Sequence, residues 1–261
     1  MDTNRRGFLG AIGRVTIGAA ASIAGTAEAA EAAAPGIATG GPRSAVKTKD
    51  GHTVHWGMVV DLRKCIGCQA CTVACIMEND VPEDAFRTHV SVYEVLKDRR
   101  DPAMVMLPRL CNHCDNPPCV PVCPVEATFK AENGEVLVDA SRCVGCAYCV
   151  QACPYDARFI NHETQTADKC TFCYHRTQEG LLPACVETCV GGARNFGDLN
   201  DPQSEVARLL RENEVSVLRP EMHTNPNVYY IGLDEALSGR VAGEAAYHPP
   251  LTTETHHEEG L

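Results

Sequence analysis

Short apolar runs bounded by turn residues predict β-strands along this chain. The runs lie at 56–60, 104–107 and 228–231. Residues 127–138 predict two more strands joined at Asn133-Gly134, because this pair favours the positive φ angles of a type I′ hairpin turn. The pattern therefore indicates a mixed fold in which short elements are separated by long loops.

One amphipathic helix is predicted on the C-terminal side of the chain. Residues 203–214 place Val206 and Leu209 on a single apolar face. Asp201 is the expected N-cap, and Pro202 takes the first helical position, where its missing N–H would have no helical partner anyway.

The first thirty residues have the order of regions found in an export signal. The pair Arg5-Arg6 is followed by a mild apolar stretch at 11–25 and by the small-residue cleavage motif at 27–29. A twin arginine in this context predicts export through the Tat pathway, which carries proteins already folded around a cofactor. The alternative is a charged N-terminus with a chance arginine pair. Export predicts a periplasmic location, where a partner subunit would hold the chain at the outer face of the cytoplasmic membrane.

Composition narrows the chemistry. Sixteen of the 261 residues are cysteine, and all of them lie from Cys65 to Cys189. A formal net charge of −11 disfavours nucleic acid as a partner, because phosphate binding requires clustered Lys and Arg. The hydrophobic content of 44% is that of a globular protein. Such a cysteine-dense globular region indicates disulfides, zinc or iron–sulfur clusters.

The cysteines form four groups of four, and every group opens with C-x2-C and closes with C-x3-C. Group one is Cys65, Cys68, Cys71 and Cys75; group two is Cys111, Cys114, Cys119 and Cys123; group three is Cys143, Cys146, Cys149 and Cys153; group four is Cys170, Cys173, Cys185 and Cys189. Groups one and three have the uninterrupted spacing of a bacterial ferredoxin run. Structural zinc prefers two pairs separated by a longer loop, and disulfides are disfavoured in the cytosol, where a Tat substrate is loaded with metal. Iron–sulfur clusters are therefore predicted, with zinc and disulfides as the alternatives.

Two nested modules are predicted from the same groups. Groups two and three enclose the hairpin at 127–138 and are each followed by proline, at Pro124 and Pro154, as in the ferredoxin run. They form an inner module at about 105–160, inserted in an outer module made of groups one and four. The expected fold class is α+β, with two ferredoxin-like modules that hold two 4Fe–4S clusters each and a C-terminal helix–strand extension.

Nesting also predicts the ligand sets, because the fourth cysteine of each ferredoxin run binds the cluster of the partner run. The sets are Cys65, Cys68, Cys71 and Cys189 for cluster 1; Cys75, Cys170, Cys173 and Cys185 for cluster 2; Cys111, Cys114, Cys119 and Cys153 for cluster 3; and Cys123, Cys143, Cys146 and Cys149 for cluster 4. The alternative is a tandem arrangement that pairs group one with two and group three with four.

The resulting domain order has four parts. They are an export signal at 1–30, a flexible linker at 31–54, a four-cluster domain at 55–199 and a C-terminal extension with a polar tail at 200–261.

No catalytic residue is predicted. The sequence offers no nucleophile–base constellation, and every metal-binding set is complete, which leaves no open coordination position for a substrate. His113 lies inside group two and is expected to be a hydrogen-bonding or surface residue. Lys64, Arg142 and Lys169 each precede the first cysteine of a group, where they either raise cluster potentials or are ordinary solvated charges.

The chain resembles the four-cluster iron–sulfur subunits of the molybdopterin oxidoreductase family. The segments that carry this resemblance are LPRLCNHCDNPPCVPVCPVEATF at 107–129, RCVGCAYCVQACPYDARFINHETQTADKCTF at 142–172, LLPACVETCVGG at 181–192 and YIGLDEAL at 230–237.

The resemblance implies a non-catalytic electron-transfer subunit with four 4Fe–4S clusters. Such a subunit takes electrons from a polytopic, quinol-oxidising membrane subunit and passes them to a large periplasmic molybdopterin catalytic subunit. The implied reaction of the complex is the reduction of tetrathionate to thiosulfate in anaerobic respiration. The equivalent subunits of polysulfide or sulfite-reduction systems share much of the pattern and are the alternatives.

Overall fold

The computed structural model describes residues 51–97 and 101–233. The predicted export signal, most of the predicted linker and the predicted polar tail lie outside these residues. In chain order the strands are β1 (Trp56–Asp61), β2 (Thr88–Lys97), β3 (Asp101–Leu110), β4 (Thr128–Lys130), β5 (Val136–Val138), β6 (Phe159–Ile160), β7 (Ala167–Asp168), β8 (Arg194–Asp198), β9 (Val215–Ser216) and β10 (Val228–Ile231). The α-helices are α1 (Ala70–Asn79), α2 (Tyr148–Gln151), α3 (Tyr174–Thr177), α4 (Ala184–Glu187) and α5 (Glu205–Glu212).

A four-stranded sheet brings together segments from both ends of the described chain. Its strand order is β8-β1-β10-β9, with β1 parallel to β10 and antiparallel to β8. Met58, Val59 and Val60 of β1 are fully buried. Helix α5 covers one face of the sheet by packing Val206 and Leu209 against Val59. Burial of this apolar surface on both faces holds the sheet at the centre of the fold.

The other strands form three two-stranded hairpins. They pair β2 with β3, β4 with β5 and β6 with β7, all antiparallel. The strands predicted at 56–60 and 228–231 are present as β1 and β10, whereas the run at 104–107 is the central part of the longer β3. The α-helices are mostly single turns, and α1, α2 and α4 each contain cysteines of a group.

The hairpin between β4 and β5 forms where the sequence predicts it, but its turn type differs. Only Gly134 has a positive φ, of 90°, whereas a type I′ turn needs positive values at two residues. The N–H of Gly134 donates to the carbonyl of Ala131 at 3.0 Å, and the side-chain amide of Asn133 donates to the carbonyl of Val54 at 2.8 Å. Asn133 is thus used to tie the turn to the segment before β1, so the prediction of a type I′ turn was wrong.

Helix α5 is shorter than predicted, and its N-cap is a different residue. The Oγ atom of Ser204 accepts a hydrogen bond from the N–H of Ala207 at 3.1 Å, so Ser204 and not Asp201 caps the helix. The Asp201 carboxylate accepts from the N–H of Gln203 at 2.8 Å in the preceding turn. None of the described helices has the length and apolar character needed to cross a lipid bilayer.

Candidate metal centres

All sixteen cysteines lie in the described part of the chain and are free thiols. Most are buried or partly buried, and only Cys68 and Cys146 are exposed. Cys71, Cys111, Cys114, Cys170 and Cys185 belong to the main hydrophobic core, beside residues such as Met58 and Phe172.

Three cavities are each lined by four cysteines. Site 1 is the cavity lined by Cys65, Cys68, Cys71 and Cys189, with an empty volume of about 330 Å³. Site 2 is lined by Cys75, Cys170, Cys173 and Cys185, with about 280 Å³. Site 3 is lined by Cys111, Cys114, Cys119 and Cys153, with about 300 Å³. Each cavity thus joins three cysteines of one group to the closing cysteine of another group, in the sets that nesting predicts.

The remaining cysteines, called site 4, are Cys123, Cys143, Cys146 and Cys149. A short series of hydrogen bonds connects the first two: Ala127 N–H donates to Cys123 Sγ at 3.2 Å, Asp139 N–H donates to the Ala127 carbonyl at 2.8 Å, and Cys143 N–H donates to the Asp139 carbonyl at 3.1 Å. Cys143 and Cys149 pack in one apolar cluster with β5 and β7.

A left-handed residue shapes the C-x2-C turn in all four groups. The residue before the second cysteine has a positive φ in each case, at Gly67 (71°), His113 (44°), Gly145 (67°) and Phe172 (54°). Glycine adopts this conformation without steric cost, whereas His and Phe rarely do so. In groups one, two and four, the two thiols of this turn line the same cavity, so the internal repeat includes backbone geometry as well as cysteine spacing.

Backbone amides donate to several of the sulfurs. The N–H group of Ala127 donates to Cys123 Sγ at 3.2 Å, and the N–H group of Ala193 donates to Cys189 Sγ at the same distance. In both cases the sulfur belongs to the cysteine four residues before the donor. Ala167 N–H donates to Cys143 Sγ at 3.3 Å. Donors of this kind stabilise the negative charge that a metal-bound thiolate carries.

Burial sets the protonation of the thiols. It raises the pKa of Cys75 and Cys114 to about 12, and that of Cys119 and Cys185 to about 11. As free thiols they remain protonated at neutral pH, so they are not poised as nucleophiles. Binding to a metal would release their protons, because the metal ligand is the thiolate. Such a donor set fits a resident metal cofactor.

The spacing of these donors favours a cluster over a single ion. In the described residues, no three His, Cys, Asp or Glu side chains converge closely enough to hold one metal ion. Zinc requires four ligands at about 2.0–2.3 Å from one point. Four thiols that line one cavity without converging on a single point instead fit the corners of a cubane cluster.

The region between sites 2 and 3 contains buried polar side chains. His113 is fully buried, and its Nδ1 accepts a hydrogen bond from the N–H of Val136 at 3.1 Å, so it is a hydrogen-bonding residue and not a surface one. Burial, together with the charges of Lys169 and Arg158, holds the pKa of His113 well below its usual value. The Nζ atom of Lys169 donates to the carbonyls of Val136 and Cys170.

The basic residues that precede the groups therefore differ in their surroundings. Lys169 is buried, whereas about half of the Lys64 and Arg142 side chains is exposed. Sequence reasoning missed Arg158 and Arg194, which are both 3% exposed and lie beside the cysteines. A sequence signal for them exists, because each follows the closing cysteine of its group by five positions.

Comparisons with known proteins agree with this chemistry. Two family models, both described as a 4Fe-4S dicluster domain, match residues 64–127 and 102–199. The chain is 55% identical to a tetrathionate reductase subunit of Salmonella typhimurium, over 94% of both chains. It is 47% identical to a tetrathionate reductase subunit of Archaeoglobus fulgidus, over 67% of this chain and 81% of the relative.

A further relative is a selenate reductase subunit of Mesobacillus selenatarsenatis, with 39% identity over 68% of this chain and 72% of the relative. Identity at this level, over this much of the chain, is sufficient to establish the family. The chain belongs to the 4Fe–4S iron–sulfur subunits of molybdopterin reductase complexes, a family that includes these tetrathionate reductase subunits, and its role is electron transfer.

Proposed function

We propose that the chain holds four 4Fe–4S clusters, one at each of sites 1 to 4, with the four cysteines of each site as its ligands. The observation that carries this proposal is the lining of three separate cavities by three cysteines of one group and the closing cysteine of another. A tandem arrangement would instead place the closing cysteine of group two, Cys123, at site 1, where Cys189 lies. The fourth set follows because each of the other twelve cysteines lines one cavity.

The same reasoning supports the proposed domain order. The four-cluster domain spans 55–199, with the inner module at about 105–160. The extension at 200–261 contributes β9 and β10 to the four-stranded sheet and α5 to one of its faces.

Electrons would pass along the sites in numerical order. When bound, each cluster accepts and releases one electron. Arg194 lines site 1 and donates to Cys185 of site 2, and Arg158 contacts cysteines of sites 3 and 4. Cys170 of site 2 lies close enough to Cys111 of site 3 for their charges to interact, so these two sites are neighbours. Buried protein between successive sites excludes water and holds them at fixed separations.

The two ends of this series are the places where partners would dock. Sites 1 and 4 each have one exposed cysteine, Cys68 and Cys146. Next to them, the apolar side chains of Ile66 and Val144 are 64% and 63% exposed. Apolar surface of this kind around a redox site suits a stable subunit interface. The proposed partners are a quinol-oxidising membrane subunit and a molybdopterin catalytic subunit, and the chain itself is non-catalytic.

Tetrathionate is the proposed terminal substrate of the complex. The support is the Salmonella relative named as a tetrathionate reductase subunit, which matches over 94% of both chains, whereas the selenate reductase relative matches over 68% of this chain. Reduction of selenate or of another sulfur oxyanion is the second candidate. The proposed location is the periplasm, which the twin arginine at 5–6 supports.

Iron analysis and paired substitutions test the ligand sets. The purified chain is expected to contain about 16 iron atoms and about 16 acid-labile sulfides, and dominant zinc would contradict the proposal. With nested sets, Cys189→Ser should perturb the same cluster signal in electron paramagnetic resonance spectra as Cys65→Ser. With tandem sets, Cys189→Ser would instead match Cys143→Ser.

A reconstituted complex tests the role and the substrate. Quinol-dependent turnover with tetrathionate is expected to exceed that with selenate, and the reverse order would favour the second candidate. The isolated chain, given a reduced dye, should not reduce tetrathionate. Turnover by the chain alone would contradict a non-catalytic role.

A further inference from the structure

Two buried arginines occupy equivalent positions in the two modules. Arg158 follows Cys153 by five residues, and Arg194 follows Cys189 by five residues. An alanine precedes each arginine, and each arginine is 3% exposed. Neither forms an ion pair with a carboxylate among the salt bridges of the described residues. Within the part of the chain that the structure describes, two guanidinium groups are thus buried beside cysteines without an acidic partner.

Arg194 lies between sites 1 and 2. It lines the cavity of site 1, and its Nη1 atom lies 3.8 Å from Cys185 Sγ of site 2. Its Nη2 atom donates to Thr88 Oγ1 at 2.8 Å. Its charge interacts with Cys71 of site 1 as well as with Cys185. The guanidinium therefore faces one ligand set on each side and is fixed by the first residue of β2.

Arg158 has the same relationship to sites 3 and 4. It lines the cavity of site 3, and it interacts with Cys119 of site 3 and Cys149 of site 4. Its Nη1 atom donates to Thr128 Oγ1 at 3.2 Å. Thr128 is the first residue of β4, as Thr88 is of β2. The two modules thus repeat an arginine, the threonine that holds it and the position between two sites.

A buried guanidinium keeps its charge at any physiological pH. Burial lowers the pKa of Arg158, but its interaction with the sulfurs of Cys119 and Cys111 more than offsets this and leaves the pKa above its ordinary value. In each module, the groups that act most strongly on the arginine charge are cysteine sulfurs. Because the interior screens charge weakly, the arginine acts in turn on both neighbouring clusters.

We propose that Arg194 raises the reduction potentials of the clusters at sites 1 and 2, and that Arg158 does the same at sites 3 and 4, so that potentials are set module by module. Reduction adds one negative charge to a cluster, and a fixed positive charge nearby stabilises the reduced form. This inference rests on the proposed ligand sets.

Potentiometric titration followed by electron paramagnetic resonance tests it in the full chain. Arg194→Gln should lower two of the four midpoint potentials, and Arg158→Gln should lower the other two. We expect at least a tenfold change in the equilibrium ratio of reduced to oxidised cluster, which is about 59 mV for one electron. Arg208→Gln removes the same charge from the exposed face of α5 and should move none of the four.

Metal content separates the possible outcomes. A wild-type chain without about 16 iron atoms would contradict the proposed ligand sets themselves. Glutamine variants with about 16 iron atoms and unchanged potentials, or variants that both move the same clusters, would overturn the role of the arginines. If the glutamine variants lose iron, the lysine variants Arg194→Lys and Arg158→Lys provide the test of the proposal. Lysine keeps the positive charge but places it at a different distance from the clusters. Each should then shift only its own two potentials, and a shift in all four or in none would overturn the proposal.

Discussion

The imidazole ring of His113 lies flat on the phenyl ring of Phe172, with ring centroids 3.7 Å apart and 21° between the planes. Both residues are buried, and both have a positive φ at the same position of their C-x2-C turns. Groups one and three have glycine there. The stack thus occupies the space between the inner and outer modules, where two glycines would leave a gap, and its packing offsets the backbone strain of about 1–3 kcal/mol at each residue.

Phe172→Ala is expected to destabilise the protein strongly. Phe172 also meets Phe196 edge to face, with centroids 5.2 Å apart, so its removal leaves a cavity between the modules. Substitutions of this kind cost about 3–5 kcal/mol. The measurement is the guanidinium concentration at which cluster absorbance is lost. Phe86→Ala is the matched control, because Phe86 is 50% exposed and should shift the midpoint little. Equal shifts in the two variants would show that the stack contributes nothing.

Gly145→Ala is expected to remove the cluster of site 4. A Cβ atom there would lie 2.4 Å from the backbone carbonyl oxygen of Gln165, in addition to the strain of a φ of +67°. Iron analysis should therefore give about 12 atoms per chain instead of about 16. Gly180→Ala isolates the backbone strain, because its φ is +76° but nothing lies within 4 Å of the added atom. That control should cost about 1–2 kcal/mol and keep all its iron. Full iron content in the Gly145 variant would contradict the prediction.

Asn79→Leu is expected to lower the potential of the site 2 cluster. The Nδ2 atom of Asn79 lies 3.6 Å from Cys75 Sγ and 3.8 Å from Cys173 Sγ, and its Oδ1 accepts from Arg87 Nη1 at 3.0 Å. Arg87 is itself fixed by Asp168, with its Nε 2.8 Å from Oδ1. Asn79→Leu removes the Nδ2 donor that contacts both sulfurs, and this loss destabilises the reduced, more negative cluster.

Asn213→Leu is the control for this substitution. Like Asn79, Asn213 donates to the carbonyl four residues earlier, that of Leu209, but no sulfur lies among its hydrogen-bond partners in the described chain. Redox titration should show one potential lowered by Asn79→Leu and none by Asn213→Leu. A shift of several clusters in the Asn79 variant would indicate a general structural effect instead.

Glu135→Gln is expected to change how stability depends on pH. Burial raises the pKa of Glu135 to about 7, with the charge of Lys169 opposing the rise. The folded state therefore keeps a proton that the unfolded chain loses near pH 4.3, so wild-type stability falls as pH rises from about 4.3 to about 7. Because glutamine cannot ionise, the Glu135→Gln variant should not lose this stability as the pH rises.

Denaturation at about pH 5 and about pH 8 measures the effect. The advantage of Glu135→Gln over the wild type should grow by a few kcal/mol between the two values, at about 1.4 kcal/mol for each pKa unit. Parallel profiles for wild type and Glu135→Gln would contradict the prediction.

Sequence reasoning worked best where one chemical requirement acts over a short stretch. Cysteine spacing expresses the geometry of a cluster directly, and three of the four sets that it predicted each line a common cavity, at sites 1, 2 and 3. The apolar runs of β1 and β10 were also readable, because a buried central strand needs little context.

Sequence reasoning worked less well where a contact with a distant residue determines the local structure. The buried side chain of Asn133 donates to the carbonyl of Val54, which changes the hairpin turn, and Ser204 displaces Asp201 as the helix cap. The buried arginines and the left-handed His113 and Phe172 were missed because their roles depend on residues distant in sequence. For the arginines, the repeated five-residue offset from a closing cysteine was nevertheless available in the sequence.

The proposed nested pairing of groups would also impose an order on biosynthesis. Site 3 has all its cysteines once Cys153 has been made, whereas site 1 must wait for Cys189, 124 residues after Cys65. The sheet closes later still, because β10 ends at Ile231. Iron delivery can therefore begin at the inner module on a growing chain, but the outer module can be completed only after nearly all of the described chain exists. A translocation machinery that accepts only folded cargo would thereby reject any chain truncated before its last strand.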